Sequence, residues 1–236
     1  MEKLLADLKN NYNAKAVKAE FEAEGATFDE ALRLKKIAHN AGLGFTVKIG
    51  GCEAVKDLKE AKIIGADAVT APMIESAYAF KKFIAAAKPV FGGELYINIE
   101  TVTGFNCLDE ILEDAQSLCG IVFGRTDMCG SLGLGCSEAD SARIFEYAKI
   151  ISEKTRLSGK KFLIGGNICP KSIDFLGNLP YLSGFETRKI IFNTPASAQG
   201  ILKAIEFELM WLRCTNPQSK RTEILEKRCR STVSAG

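Results

Sequence analysis

The chain has 236 residues, 47% of them hydrophobic and 25% charged, with a formal net charge of +2. That length suits one large domain with a sizeable core, and the near-neutral charge offers no basic field for nucleic acid and no acidic composition for disorder. No apolar run approaches membrane-span length, no signal-peptide pattern opens the chain, and its eight cysteines form no C-x-x-C pair, so a soluble, cytoplasmic protein with free thiols is expected.

The opening residues, MEKLLAD, start an amphipathic helix, and a first strand is expected over 16–24. There Val17, Ala19, Phe21 and Ala23 alternate with Lys18, Glu20, Glu22 and Glu24, giving one apolar and one charged face. Thr27 caps a helix over 28–41, with Glu30 at the capping-box position. Further strands are expected over 44–49, 68–73, 95–100, 120–124, 161–165 and 185–192. Helices are expected over 53–64, 76–87, 108–117, 138–157, 170–176 and 197–212, several of them stopped by a glycine such as Gly42, Gly65 or Gly159.

Strand–helix alternation of this kind requires right-handed crossovers and a parallel sheet. An open, doubly wound sheet has strands that are apolar on both faces. Here the first strand has a charged face, the fourth sets Tyr96, Asn98 and Glu100 against Leu95, Ile97 and Ile99, and Glu186 and Arg188 share a face in the seventh. A closed (β/α)8 TIM barrel explains this, with apolar residues under the helices and polar ones in the bore. The expected domain is 1–212, a barrel with an N-terminal helix, followed by a polar, basic tail over 213–236. The eighth strand is irregular or missing, either 179–183 or a split of 185–192. An incomplete barrel or a flavodoxin-like sheet stays open.

In a barrel, strand-end residues are the functional candidates. They are Glu22 and Glu24, Lys48, Glu75, Glu100, Arg125 and Asp127. Glu100 and Asp127, ending adjacent strands, suit a hard divalent ion, Mg²⁺ or Mn²⁺. The competing account is that each carboxylate caps the helix after it. Lys18, Glu20 and Glu22 should point inward, within reach of Lys48 and Arg188, and such charges must pair with one another. The single histidine, His39, falls inside a helix. The glycine pairs Gly50-Gly51 and Gly165-Gly166 could admit a phosphate, though tight turns explain them equally well.

Three stretches carry a resemblance. INIETVTGFNCLDEI over 97–111, FGRTDMCGSLG over 123–133 and GADAVTAPMIESA over 65–77 are similar to elements of the HpcH/HpaI aldolase and citrate lyase family, in the family's order. The resemblance implies a phosphoenolpyruvate/pyruvate-type barrel that forms or cleaves a C–C bond beside a 2-oxo acid or an acyl thioester. It implies Glu100 and Asp127 as ligands of Mg²⁺ or Mn²⁺, and an enolate held at the metal. Backbone N–H groups near Gly124, together with Arg125, Glu75 and Lys48, would then bind substrate. Two departures stand out. Lys48 occupies a strand end where the family has arginine, and no histidine is available at the mouth, which leaves Lys48, Glu22 and Arg125 as catalytic candidates.

The leading functional expectation is therefore a metal-dependent carbon–carbon lyase of the class II aldolase type. It would act on a 2-oxo acid with an aldehyde or acyl substrate. The alternatives are a Schiff-base aldolase built on Lys48, and a non-catalytic keto-acid or acyl-binding subunit of a citrate lyase-like complex. The apolar residues of 201–212 exceed what one helix needs and suggest a homo-oligomer.

Overall fold

The computed structural model describes residues 1–218 together with residues 220, 222 and 225. Helix α1 (Glu2–Tyr12) leads into β1 (Ala14–Glu20), after which strands and helices alternate. The strands are β2 (Gly44–Lys48), β3 (Ala68–Ala71), β4 (Glu94–Ile99), β5 (Gly120–Gly124), β6 (Lys161–Gly165), β7 (Gly184–Glu186) and β8 (Ile190–Asn193). The helices are α2 (Phe28–Asn40), α3 (Val55–Ile64), α4 (Ala77–Ala87), α5 (Val102–Asn106), α6 (Leu108–Glu113), α7 (Arg125–Ser131), α8 (Ala142–Leu157), α9 (Ile173–Asn178) and α10 (Ala198–Thr215). The eight strands close into one barrel in chain order.

Strands β1 to β7 are parallel, so their C-terminal ends share one mouth. Strand β8 runs the other way and pairs antiparallel with both β7 and β1. The expected strand over 185–192 is thus a hairpin that turns at Thr187–Lys189, where the Thr187 N–H donates to the Ile190 carbonyl at 2.9 Å. Residues 179–183 form no strand. The turn contains neither glycine nor proline, so nothing in its composition interrupts the strand pattern.

The first strand stops at Glu20 rather than Glu24. Its partner β2 ends at Lys48, whose carbonyl takes the Phe21 N–H, and beyond that point no ladder remains. Residues 21–24 bend away instead, with Gly25 N–H on the Glu22 carbonyl and Ala26 N–H on that of Glu20. Glu22 is consequently exposed on a loop, which corrects its expected place in the bore.

Outward-facing residues such as Val17, Phe45, Val69, Ile97, Phe123 and Ile164 are buried beneath the helices. Inside, Ala16, Ala68, Tyr96, Val122, Leu163 and Ile191 form a second, smaller apolar cluster that fills the bore towards the strands' N-terminal ends. The interior residues one and two steps further along the strands are polar: Lys18, Glu20, Thr46, Thr70, Asn98 and Glu186 are all buried.

On α10, Ile201, Ala204, Ile205, Phe207, Leu209 and Trp211 are buried within the chain itself. Arg33 of α2 lies over the Trp211 ring at 4.9 Å. This face is therefore packed within the chain. Helix α10 continues to Thr215, the Thr222 hydroxyl donates to the Asn216 carbonyl, and Leu225 is buried in the main core. Of the tail's basic residues, Arg213 and Lys220 are exposed, and Arg221, Lys227, Arg228 and Arg230 lie outside the described residues. No helix among the described residues is long and apolar enough to cross a membrane.

Gly120, at the start of β5, lets the neighbouring strands approach. A Cβ there would stand 2.5 Å from the Lys161 carbonyl oxygen and 2.7 Å from Tyr96 Cε1. Because backbone is one of the obstacles, Gly120→Ala should lower stability by about 1–3 kcal/mol. The change should appear as a lower urea midpoint with an unchanged m-value.

Candidate active site

The barrel mouth is lined by residues that end the strands. Glu20 closes β1, Lys48 closes β2 and Glu186 closes β7. Glu100 follows β4, and Asp127 lies in the first turn of α7, directly after β5. Glu100 is 3% exposed. Its Oε1 accepts the Met73 backbone N–H at 3.0 Å and its Oε2 accepts the Asn98 side-chain amide at 2.7 Å. The Lys48 ammonium lies 3.7 Å from Oε2.

Neither carboxylate supplies the side-chain cap of the helix that follows it. Thr101 caps α5, its hydroxyl accepting the Gly104 N–H at 3.1 Å, and Gly124 occupies the N-cap of α7. Burial raises the Glu100 carboxyl above the ordinary glutamate range, and the negative Asp127 adds to the rise. Lys48, Asn98 and the Met73 N–H oppose it. The pair is short of positive charge. A cation between two carboxylates would relieve both burial and repulsion.

The geometry around Glu100 depends on two backbone features. A Cβ at Gly124 would stand 2.5 Å from Glu100 Oε2 and 2.7 Å from Glu100 Cβ. Gly124 thus serves the site by having no side chain, so that the glutamate can lie across β5. Met73 aims its N–H at Glu100 from a left-handed conformation, φ +52°, uncommon for a residue with a side chain. Glu75, half-buried beside them, accepts the Thr101 hydroxyl at 2.7 Å.

Arg125 is placed differently from expectation. It is fully buried. Nε donates to the Gly165 carbonyl, Nη1 to Ala139 O and Asp140, and Nη2 to Gly166 O, with the group stacked 4.9 Å from the Phe175 ring. With its donors engaged by the Gly165–Gly166 turn, Ala139 and Asp140, Arg125 clamps the start of α7. That clamp also explains the glycines. A Cβ at Gly166 would meet the Thr126 and Arg125 nitrogens at 2.6 and 2.8 Å, so the turn packs on α7. Gly50 is likewise engaged, its N–H donating to Asp57. Glu22 lies over Gly50, where an added Cβ would stand 3.0 Å from its Oε2. His39 is exposed on α2.

Behind Lys48 the bore holds an alternating chain of charge. Lys18 Nζ bonds Glu186 Oε1 and lies 3.2 Å from Glu20 Oε1. Glu20 also accepts Arg188 Nη1 at 3.2 Å and stands in register with Lys48 on the next strand. Glu24 pairs with Lys189 and with Arg188. Of the expected inward group, Lys18, Glu20 and Arg188 pair with one another, whereas Lys48 pairs with Glu100 and Glu22 lies outside the bore. The sequence reading missed Asn98 and Met73 as partners of Glu100, and Glu186 as partner of Lys18. Period-two alternation places Asn98 and Glu186 on the interior face and could have found them; nothing marks Met73.

These contacts shift the weight of stability from Lys48 to Lys18. Lys48 is partly exposed, whereas Lys18 is sealed between two carboxylates. Lys18→Met should cost about 3–5 kcal/mol, since it strands buried charge. Lys48→Met should cost only about 1 kcal/mol. Chemical denaturation of the two variants makes the comparison. Lys18, Arg188 and Lys48 hold the Glu20 carboxyl down from 4.5 to about 2 against the opposing effect of burial. A lowered folded-state pKa adds stability above the unfolded value. Stability should therefore fall as pH drops from 4.5 towards 2, by roughly 3 kcal/mol from this group. Glu20→Gln should flatten that segment of the curve while lowering stability at pH 7.

No protein-family model matches the sequence, and no curated protein matches it significantly. Solved structures do match in fold. The citrate synthase SbnG aligns with a TM-score of 0.63 at 14% identity, covering 92% of this chain and 90% of its own. RipC from Yersinia pestis gives 0.55 at 17%, with 78% and 85% covered. An HpcH/HpaI aldolase/citrate lyase family protein from Burkholderia cenocepacia J2315 gives 0.63 at 16%, covering 90% and 91%. Over nine-tenths of its length, then, this chain shares the α/β barrel fold of an HpcH/HpaI aldolase/citrate lyase family protein.

Proposed function

We propose that the protein is a divalent-metal-dependent carbon–carbon lyase acting beside a 2-oxo acid, with Glu100 and Asp127 as the metal ligands. One observation carries this reading. A glutamate buried at the barrel mouth has a lysine ammonium 3.7 Å away and feels the negative charge of Asp127, while Thr101 rather than Glu100 caps the helix that follows it. The barrel shared with structures named as a citrate synthase and as an aldolase/citrate lyase family protein supports the same class of chemistry.

The donor set fits such an ion. Each Glu100 oxygen accepts one neutral donor and has a lone pair to spare. Among the described residues no three His, Cys, Asp or Glu side chains converge. Two carboxylates, with water and substrate oxygens completing the shell, is the habit of Mg²⁺ or Mn²⁺ rather than of structural zinc. Bound there, the ion would supply Lewis acidity at a keto oxygen.

The chain's own residues do the rest. Lys48 presents an ammonium beside Glu100, where it can pair with the substrate carboxylate or with the negative oxygen of an enolate. As a single point charge it attracts an oxyanion without arginine's two-pronged geometry. Asn98 and the Met73 N–H fix the rotamer of Glu100, so the ligand is oriented before anything binds. Glu22, exposed on the loop after β1, is the carboxylate available to exchange a proton with solvent.

Glu100→Gln and Asp127→Asn each remove a negative ligand while preserving shape. Each should weaken Mn²⁺ binding, followed by electron paramagnetic resonance, by about tenfold or more and abolish pyruvate release from aldol substrates. Both variants should remain folded. Mn²⁺ affinity equal to wild type in either would remove the ligand assignment. Borohydride reduction in the presence of pyruvate should leave Lys48 without added mass; a pyruvyl adduct would establish the Schiff-base route instead.

A further inference from the structure

The end of the bore opposite the mouth is not closed by the side chains that line it. At that level β1, β2 and β3 contribute only Ala16, Gly44 and Ala68. The facing strands set Tyr96, Val122, Leu163 and Ile191 against them. Three neighbouring strands with almost no side chain cannot fill their half of the bore, and a cavity of about 60 Å³ remains.

Its inner end is polar. Two residues further along β2 and β3, Thr46 and Thr70 border the cavity and are 6% and 4% exposed. Neither hydroxyl has a hydrogen-bond partner among the described residues, and neither is sealed off, so both open on the cavity. Glu186 borders it beside them. Lys18 holds its Oε1, and its Oε2 has no partner among the described residues. The outer end differs, because its charges are engaged with one another. Tyr96 and Lys161 donate to Glu94 at 2.8 and 3.0 Å, with Lys15 at 3.8 Å. Asp67 accepts the Phe45 N–H at 2.7 Å and the Lys35 ammonium at 3.3 Å.

We infer that this cavity is a second binding site, at the opposite end of the barrel from Glu100, for a small uncharged molecule that carries a hydroxyl group. The inference is independent of the metal-dependent reading above. The volume has room for about four water-sized atoms, the size of a three-carbon alcohol. Buried hydroxyls left without partners cost free energy that a ligand able to bond them recovers. A ligand hydroxyl can donate to Glu186 Oε2 and accept from Thr46 or Thr70, while its hydrocarbon lies on Val122, Leu163 and Ile191. Charge is disfavoured in either sign. An anion would meet the Glu186 carboxylate, a cation would stand next to the Lys18 ammonium, and each would have to leave water to do so.

The test is a titration of the methyl-labelled full chain, followed by nuclear magnetic resonance, with 1-propanol, propanoate and propylammonium as probes. 1-Propanol should shift the methyl signals of Ala16, Ala68, Val122, Leu163 and Ile191 together and saturably, with a Kd of about 1 mM. Propanoate and propylammonium should bind about tenfold or more weakly. Replacing both hydroxyls, by Thr46→Val with Thr70→Val, should weaken 1-propanol by about tenfold; a cavity that simply attracts hydrocarbon would bind it as well or better. Either single variant makes the same comparison if the double variant fails to fold. Ala68→Val, which narrows the cavity from β3, should abolish the shifts. Shifts that stay linear, or that persist in Ala68→Val, mean that the cavity holds water only and overturn the site. Tighter binding of propylammonium or propanoate than of 1-propanol overturns the ligand class.

Discussion

The ammonium of Lys18 is sealed in the bore of the barrel between the carboxylates of Glu20 and Glu186, and much of the mouth follows from that burial. An unpaired charge at this depth costs several kcal/mol, so β1 and β7 must each bring a carboxylate to the same point. Two carboxylates around one lysine leave negative charge over, and Arg188 and Lys48 gather at Glu20 to answer it. Lys48 in turn faces Glu100. Charge therefore alternates from the middle of the bore to its rim. The residues proposed to meet substrate form the outer end of a network whose inner end is a requirement of folding.

Room for this network is made by residues that contribute no side chain. Gly124 lets Glu100 lie across β5, and Gly165 leaves space for Glu186, whose Cγ would be 3.0 Å from an added Cβ. Both glycines end their strands. A polar bore with large acidic side chains needs such gaps at neighbouring positions, since eight strands enclose only enough space for side chains to fill. Arg125 secures the same region from outside, tying the Gly165–Gly166 turn and Asp140 to the start of α7.

What could be read from the sequence was the part governed by local period. The alternation of Val17 and Ala19 with Lys18 and Glu20 identified a polar bore and hence closure, and Glu100 falls directly after its strand while Asp127 lies one helical turn into α7. The failures have a common cause, namely dependence on a partner remote in the chain. Glu22 and Glu24 continue the alternation, yet the strand ends at Glu20 because β2 has no residue left to pair. Arg125 occupies a strand end, but its orientation is set by carbonyls some forty residues on, at Gly165 and Gly166. The apolar face of α10 looked unpartnered because α1, which packs against it, lies at the opposite end of the sequence.

The reversal of β8 also changes how the ring is sealed. Each of the parallel neighbours from β1 to β7 is joined by a crossover, and an eighth parallel strand would have required another helix before closure. Here the final strand is joined to β7 by the short turn at 187–189, for which the entropy of loop closure is small. A two-stranded ribbon can thus assemble locally and dock on β1 as a unit, leaving a single long-range event, the meeting of β8 with β1, to complete the barrel. Because Lys18 on β1 meets Glu186 on that ribbon, the step that seals the ring also neutralises the charge at its centre.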